Sequence, residues 1–314
     1  MFRKISSITA SLLFGLLFFS SPTFAKESAK PAIWLQISPV SNRVMLAPGR
    51  TLEYNFSVEN IGSEEFSYKI YPAAYSVNNE EYDINFAKQT KRTQLSRWIK
   101  FRQADGAWVN QLNLKLTPGK KEIIKYQVNV PKDIPSGGQY ATIFAESEPS
   151  DKNTKMSGIK TISRVGLVVF GNTSGDTRQK AEITDYKFTS FLTKGQISSH
   201  SRIKNSGNTD FAAHYKFNIQ SLFGKEIYNK ELSYDVLPST TRRVSLKWDD
   251  TPGFGIYKVT YKVSALDQSR SETKIVLIMP VFIIVIMLVL LTLSIIWIII
   301  LFRKRRQRKS KLIV

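Results

Sequence analysis

The segment TLEYNFSVENIG, residues 51–62, decides the fold. Its apolar side chains, Leu52, Tyr54, Phe56 and Val58, alternate with Glu53, Asn55, Ser57 and Glu59, which is the period of a strand with one dry and one wet face. The run stops at Asn60-Ile61-Gly62, and a new alternation follows over residues 66–70. Strand, Asn-x-Gly turn and strand make an antiparallel unit. The same arrangement returns downstream, where Asn205-Ser206-Gly207 closes SRIKNSG, residues 201–207, ahead of residues 211–217.

The turn signals beyond these motifs also recur. Leu116-Thr117-Pro118-Gly119 leads through a strand pattern to Pro135-Ser136-Gly137-Gly138-Gln139-Tyr140, and Leu237-Pro238 leads to Pro252-Gly253-Phe254-Gly255-Ile256-Tyr257. Further alternating runs lie at residues 122–130, 140–146, 165–170, 214–220, 243–247 and 257–264. The pattern predicts an all-β protein of two tandem Ig-like antiparallel β-sandwiches, followed by a single C-terminal transmembrane helix. The expected order is a signal peptide at 1–25, sandwiches at 26–172 and 173–274, a span at 275–302 and a basic tail at 303–314. The join between the sandwiches falls in GNTSGDTRQK, residues 171–180.

The copies differ in length. Asn60 to Pro118 is 58 residues and Asn205 to Pro238 is 33, so the first copy carries 25 more, placed within residues 77–110. This insert mixes Tyr82, Phe86, Trp98, Phe101 and Trp108 with Lys88, Lys91, Arg92, Arg97, Lys100 and Arg102. Leu95, Trp98 and Ile99 have the spacing of a short helix packed on the sandwich. Two readings follow. The aromatics stack on sugar rings while the cations pair with carboxylate or phosphate, giving the candidate ligand residues Arg97, Trp98, Lys100, Arg102 and Trp108; or Trp98, Ile99 and Phe101 plug the open end of the sandwich. A second polar segment, residues 147–160, reads as a long hairpin loop.

The ends carry the targeting signals. Residues 275–302 contain no charged side chain, enough at about 1.5 Å per residue to cross about 30 Å of hydrocarbon. Arg303, Lys304, Arg305, Arg306, Arg308, Lys309 and Lys311 follow, which sets this end in the cytoplasm and everything before it outside. Arg3 and Lys4, an apolar stretch at 8–19 and small residues up to Ala25 read as a cleaved signal peptide, an uncleaved anchor being the alternative.

Composition narrows the chemistry. The net charge is +20, from 45 Lys and Arg against 25 Asp and Glu. With Arg3, Lys4 and the seven tail charges set aside, 36 basic and 25 acidic residues remain, a net of +11 on the exported part. Such a surface is attracted to anionic wall polymers or lipid headgroups, and no nucleic-acid recognition motif accompanies it. The chain has no cysteine, so thiolate chemistry and disulfides are excluded, which suits a bacterial, Gram-positive-type envelope. No Gly-x-Ser-x-Gly elbow or phosphate-binding glycine loop is present, and His200 and His214 lack acidic residues at ligand spacing. No enzyme activity, metal or cofactor is expected.

The chain resembles the WxL-interacting proteins of Gram-positive cell surfaces. The match lies over residues 31–150, where Ile37-Ser38-Pro39 and Leu46-Ala47-Pro48-Gly49 lead into residues 56–62, and Val130-Pro131 leads into Ser136-Gly137-Gly138-Gln139-Tyr140-Ala141. The resemblance implies a membrane-anchored plan with a peptidoglycan-binding first domain and a second domain that binds a partner. The expected function is therefore noncatalytic binding of cell-wall polymer and neighbouring surface proteins at the bacterial plasma membrane. The alternative is a chaperone-like or secretion accessory that binds exported subunits by strand addition.

Overall fold

Phe56, Val58 and Asn60 turn inward on a strand whose intervening residues stay partly wet, and strands of this kind stack face to face. The computed structural model describes residues 31, 33–148, 162–173, 175–188, 191–193, 196–250 and 253–310. The expected signal peptide and most of the polar segment 147–160 lie outside them.

In chain order the first half forms β1 (Leu35–Ser38), β2 (Ser41–Leu46), β3 (Thr51–Asn60), β4 (Phe66–Ala74), β5 (Ser76–Val77), β6 (Ile84–Asn85), helix α1 (Leu95–Trp98), β7 (Ile99–Arg102), β8 (Trp108–Val109), β9 (Leu112–Leu116), β10 (Lys121–Asn129), β11 (Gly137–Ser147) and β12 (Arg164–Thr173). One sheet has the order β1-β3-β10-β7-β8 and the other β2-β12-β11-β4-β9. Their facing side chains, among them Phe56, Val58, Tyr68, Ile70, Tyr126, Ile143 and Val169, are almost fully buried in one core. Each such side chain contributes about 1.5–3 kcal/mol of transfer free energy.

The second half forms β13 (Ala181–Phe188), β14 (Phe191–Leu192), β15 (Ile197–Asn205), β16 (Phe211–Ser221), β17 (Glu226–Val236), β18 (Thr241–Trp248), β19 (Gly255–Ala265), β20 (Gln268–Ile278) and α2 (Val281–Ser310). Its sheets run β13-β15-β18 and β14-β20-β19-β16-β17, around a separate core that includes Ile203, Phe217, Val259 and Tyr261. In each half a short early strand joins the last strand in parallel, β2 on β12 and β14 on β20, while the other pairings are antiparallel. The chain is thus a duplicated Ig-like sandwich.

The Asn-x-Gly motifs hold matching corners. Asn60 Nδ2 donates to the Glu64 and Leu116 carbonyls and its Oδ1 accepts the Gly62 amide. Asn205 Nδ2 donates to the Thr209 and Val236 carbonyls and its Oδ1 accepts the Gly207 amide. Both asparagines are fully buried, so these bonds replace water for backbone groups that would otherwise be stranded.

The span begins later than hydropathy predicts. Ile275, Val276, Leu277 and Ile278 belong to β20, with Val276 and Ile278 in the core, and the second sandwich ends at 278. Hydropathy cannot separate a buried strand from an apolar helix when the two abut. Pro280 separates them, because a proline disfavours helical backbone in the residue before it. Among the described residues, the helix long and apolar enough to cross a membrane covers Val281–Arg303. Its two hydroxyls are satisfied internally, Thr292 on the Val289 carbonyl and Ser294 on that of Leu291. The expected linker is shorter too, since residues 171–173 complete β12.

Candidate functional site

The insert lies between β4 and β9, where the second sandwich has only the turn between β16 and β17. The structure scatters the five residues singled out in it. Trp98 ends α1 and is 8% exposed, packed in the first core with Leu95, Ile99 and Phe101. It offers no open ring to a ligand and fills the plugging role. Arg97, its neighbour on α1, is exposed, and Lys100 is half-buried on β7.

Arg102 and Trp108 do meet. They are cross-strand partners on β7 and β8, and the guanidinium carbon lies 5.5 Å from the indole centroid. Arg102 of this cation–π pair lines a groove of about 570 Å³ bordered by residues 102–104, 111–114 and 122–125.

The groove exists because β7 is short. It pairs with β10 at Tyr126, Gln127 and Val128, whereas β3 pairs with β10 from Lys121 to Asn129. Residues 121–125 therefore have no strand on their second side among the described residues. Across the groove, β9 is the outer strand of the other sheet. Leu112 and Ile124 are buried beneath the groove, Leu114 is half-buried and Ile123 is 69% exposed. Below it the Tyr68 hydroxyl donates to Glu122 at 2.7 Å, and burial pushes the Tyr68 phenol well above its ordinary pKa. In the second sandwich the corresponding strands β17 and β18 are tied together by Tyr228, whose hydroxyl donates to the Lys247 carbonyl at 3.2 Å and whose ring lies 6.3 Å from Trp248.

A further cluster joins the halves. The Tyr140 hydroxyl donates to Asp210 Oδ1 and accepts the Asp210 amide, each at 3.0 Å. Arg43 bridges Asp210 and Asp235 and lies over the Phe170 ring at 4.5 Å. Burial opposes the Arg43 charge, but the two carboxylates outweigh it and raise its pKa. Burial also pushes the Asp235 carboxyl up, against the pull of Arg43.

The insert makes its own bridge. The Tyr82 hydroxyl lies 2.6 Å from that of Thr240 and accepts the Leu237 amide, Glu80 pairs with Arg202 at 2.7 Å, and Arg242 lies over the Tyr82 ring. Gly137 has φ +98°, and a Cβ there would come within 2.2 Å of the Asn208 carbonyl oxygen, so the Ser-Gly-Gly turn is where the second half docks.

Between the halves lies a cavity of about 280 Å³ bordered by Tyr75, Lys88, Lys91, Arg92, Tyr140 and residues 237–240. No carboxylate borders it. Arg92 donates to the Ser136 carbonyl at 2.7 Å, and burial lowers its pKa. Sequence reasoning missed Arg43, Tyr140, Asp210 and Asp235, whose role arises from contacts far apart in the chain. Among the described residues no group of three or more His, Asp or Glu is arranged to hold a metal. His200 meets Asp185 at 3.5 Å.

The architecture is that of a tandem Ig-like protein with an apolar C-terminal helix. No protein-family model and no curated protein matches the chain. Among solved structures it is similar to the class 5 fimbriae chaperone CfaA, at 14% identity over 77% of this chain and 99% of that one, with a TM-score of 0.38. It is similar to the E. coli chaperone DraB at 11% identity, over 77% and 97%, TM-score 0.38. A third is the CsuC–CsuE chaperone–subunit complex of Acinetobacter baumannii, at 12% identity over 77% and 98%, TM-score 0.38.

Proposed function

We propose that this chain is a noncatalytic envelope protein, held in a membrane by α2, that binds exported or surface proteins by pairing with an extended segment of them along β10. The observation that carries this is the edge at residues 121–125, which among the described residues has no strand on its second side and no bridge from β9 like that of Tyr228, in a groove with apolar side chains. Main-chain hydrogen bonds to such an edge give affinity, and side chains at alternate positions select the guest. Arg102 supplies a cation at the mouth, held there against the Trp108 ring. The sandwiches lie outside the membrane and the basic tail inside. The resemblance of residues 31–150 to the WxL-interacting proteins supports a surface protein as the partner.

The test is amide hydrogen exchange on the detergent-solubilised chain with a synthetic extended peptide of alternating apolar and polar residues. Protection at residues 121–125 that is lost when alternate peptide nitrogens are methylated supports strand addition. Absence of protection, together with retention on purified cell wall, sinks it. The second reading, wall-polymer binding, draws on Lys88, Lys91 and Arg92 around a cavity without a carboxylate. In that case competition by soluble teichoic acid would require those three cations.

A further inference from the structure

The end of the second sandwich from which α2 departs carries several exposed large apolar side chains. Phe223, in the turn between β16 and β17, is 99% exposed, and its neighbour Leu222 is 53% exposed. Phe254 and Phe191 are each more than half exposed, and Ile256 and Ile275 are exposed as well. Large apolar side chains gathered at one end of a folded domain mark a surface that meets a partner or a lipid.

Strand register fixes where this end lies. Ser221 is opposite Tyr257, which is opposite Val276, so Leu222 and Phe223 continue past that level toward the end of β20. Phe191 is opposite Leu277, and Gly255, next to Phe254, is opposite Ile278. The exposed aromatics are therefore level with the last two residues of β20. Met279 and Pro280 alone separate that strand from α2, a reach of about 7 Å, and the Met279 amide is tied to the Leu192 carbonyl at 2.8 Å. With strands about 4.8 Å apart, the β16–β17 turn stands about 10 Å to the side of the helix start.

We infer that this end is seated in the headgroup region of the bilayer that α2 crosses, with Phe223, Leu222, Phe254 and Phe191 dipping into the lipid. The inference rests on the reading of α2 as a span. A domain joined to its span by two residues cannot stand off the surface, so side chains level with Ile278 meet the interface, a layer about 5–8 Å deep on each side. Phe and Leu side chains on interfacial surfaces bury at the boundary between headgroups and acyl chains. Asp249 and Asp250 follow β18 in the opposite sheet, so the apolar row belongs to the sheet that feeds the helix. The lipid seat holds the groove beside β10 at a set height above the membrane.

The cysteine-free chain allows a direct test. Full-length Phe223→Cys, Leu290→Cys and Ala104→Cys, each labelled with a polarity-sensitive fluorophore, are placed in phosphatidylcholine–phosphatidylglycerol vesicles that carry nitroxide on the headgroup or deep in the acyl chain. Headgroup nitroxide is expected to quench position 223, deep nitroxide position 290, and neither position 104. Quenching at 290 with none at 223 overturns the lipid seat and leaves the span intact. No quenching at 290 removes the span on which the inference rests. A 223 signal shielded in detergent and dependent on protein concentration would make this end a contact between copies and also overturn it.

Discussion

Tyr140 and Asp210, 70 positions apart, share one phenol oxygen that both donates to a carboxylate and accepts a backbone amide, each at 3.0 Å. Both residues are almost fully buried, so neither group has water as a substitute. Tyr140→Phe leaves the Asp210 amide without its acceptor, at a cost of about 1–3 kcal/mol. The docking of the two halves is expected to loosen while each core stays intact. Trypsin should cut sooner at the exposed Arg178 and Lys180 of the linker, with far-UV circular dichroism unchanged.

The duplicated corner makes a second prediction. Gly119 at φ +70° and Ser239 at φ +61° occupy matching turns, and their amides donate to the Asn60 and Asn205 carbonyls respectively. Only the first copy uses glycine where the left-handed region favours it. Ser239→Gly should stabilise the second sandwich by about 1 kcal/mol through relief of that backbone penalty. Asn205→Ala, which strands two carbonyls and an amide, should destabilise it by about 3 kcal/mol. Denaturant unfolding of both variants measures the pair.

The Asn-x-Gly corners were legible in the sequence because each binds backbone within a few residues and marks a strand end. The alternation of residues 51–59 was legible because sandwich strands keep one dry face. Tyr82 was not: its partner Thr240 lies 158 positions away, and an aromatic in a basic insert reads equally as ligand platform or as domain contact. Trp98 and Trp108 share the ligand reading in the sequence, and only Trp98 also carries the plugging one. They part because α1 turns one indole into the core, while β8 pairs at the outer edge of its sheet. The free edge of β10 follows from where β7 stops, which side-chain alternation does not encode.

Acid should weaken the first sandwich through Glu146. Burial alone would raise this carboxyl, but the Tyr71 hydroxyl at 2.6 Å and the Lys69 ammonium at 2.9 Å overcome it and hold the folded pKa below the ordinary 4.5. A depressed carboxyl contributes stability that is present above the unfolded pKa and lost as pH falls through the folded one. The melting temperature should therefore decline as pH drops below about 4.5. Glu146→Gln should flatten that decline, and a slope identical to that of the parent chain would contradict the assignment.

Trp98 and Trp108 provide the sharpest division between fold and function. Trp98→Ala opens a cavity beside Leu95, Ile99 and Phe101 and should cost about 3–5 kcal/mol. Trp108 is half-buried on a two-residue strand at the sheet edge, and its replacement by Ala forfeits chiefly the contact with Arg102, worth about 0.5–1 kcal/mol. Thermal unfolding should thus fall steeply for Trp98→Ala and barely for Trp108→Ala. Binding of an extended peptide should show the opposite order at a temperature where both variants are folded, because the Trp108 ring holds Arg102, which lines the groove, while Trp98 is buried in the core. Equal binding by Trp108→Ala and the parent chain would remove the aromatic from the recognition surface and leave the β10 backbone edge to account for binding on its own.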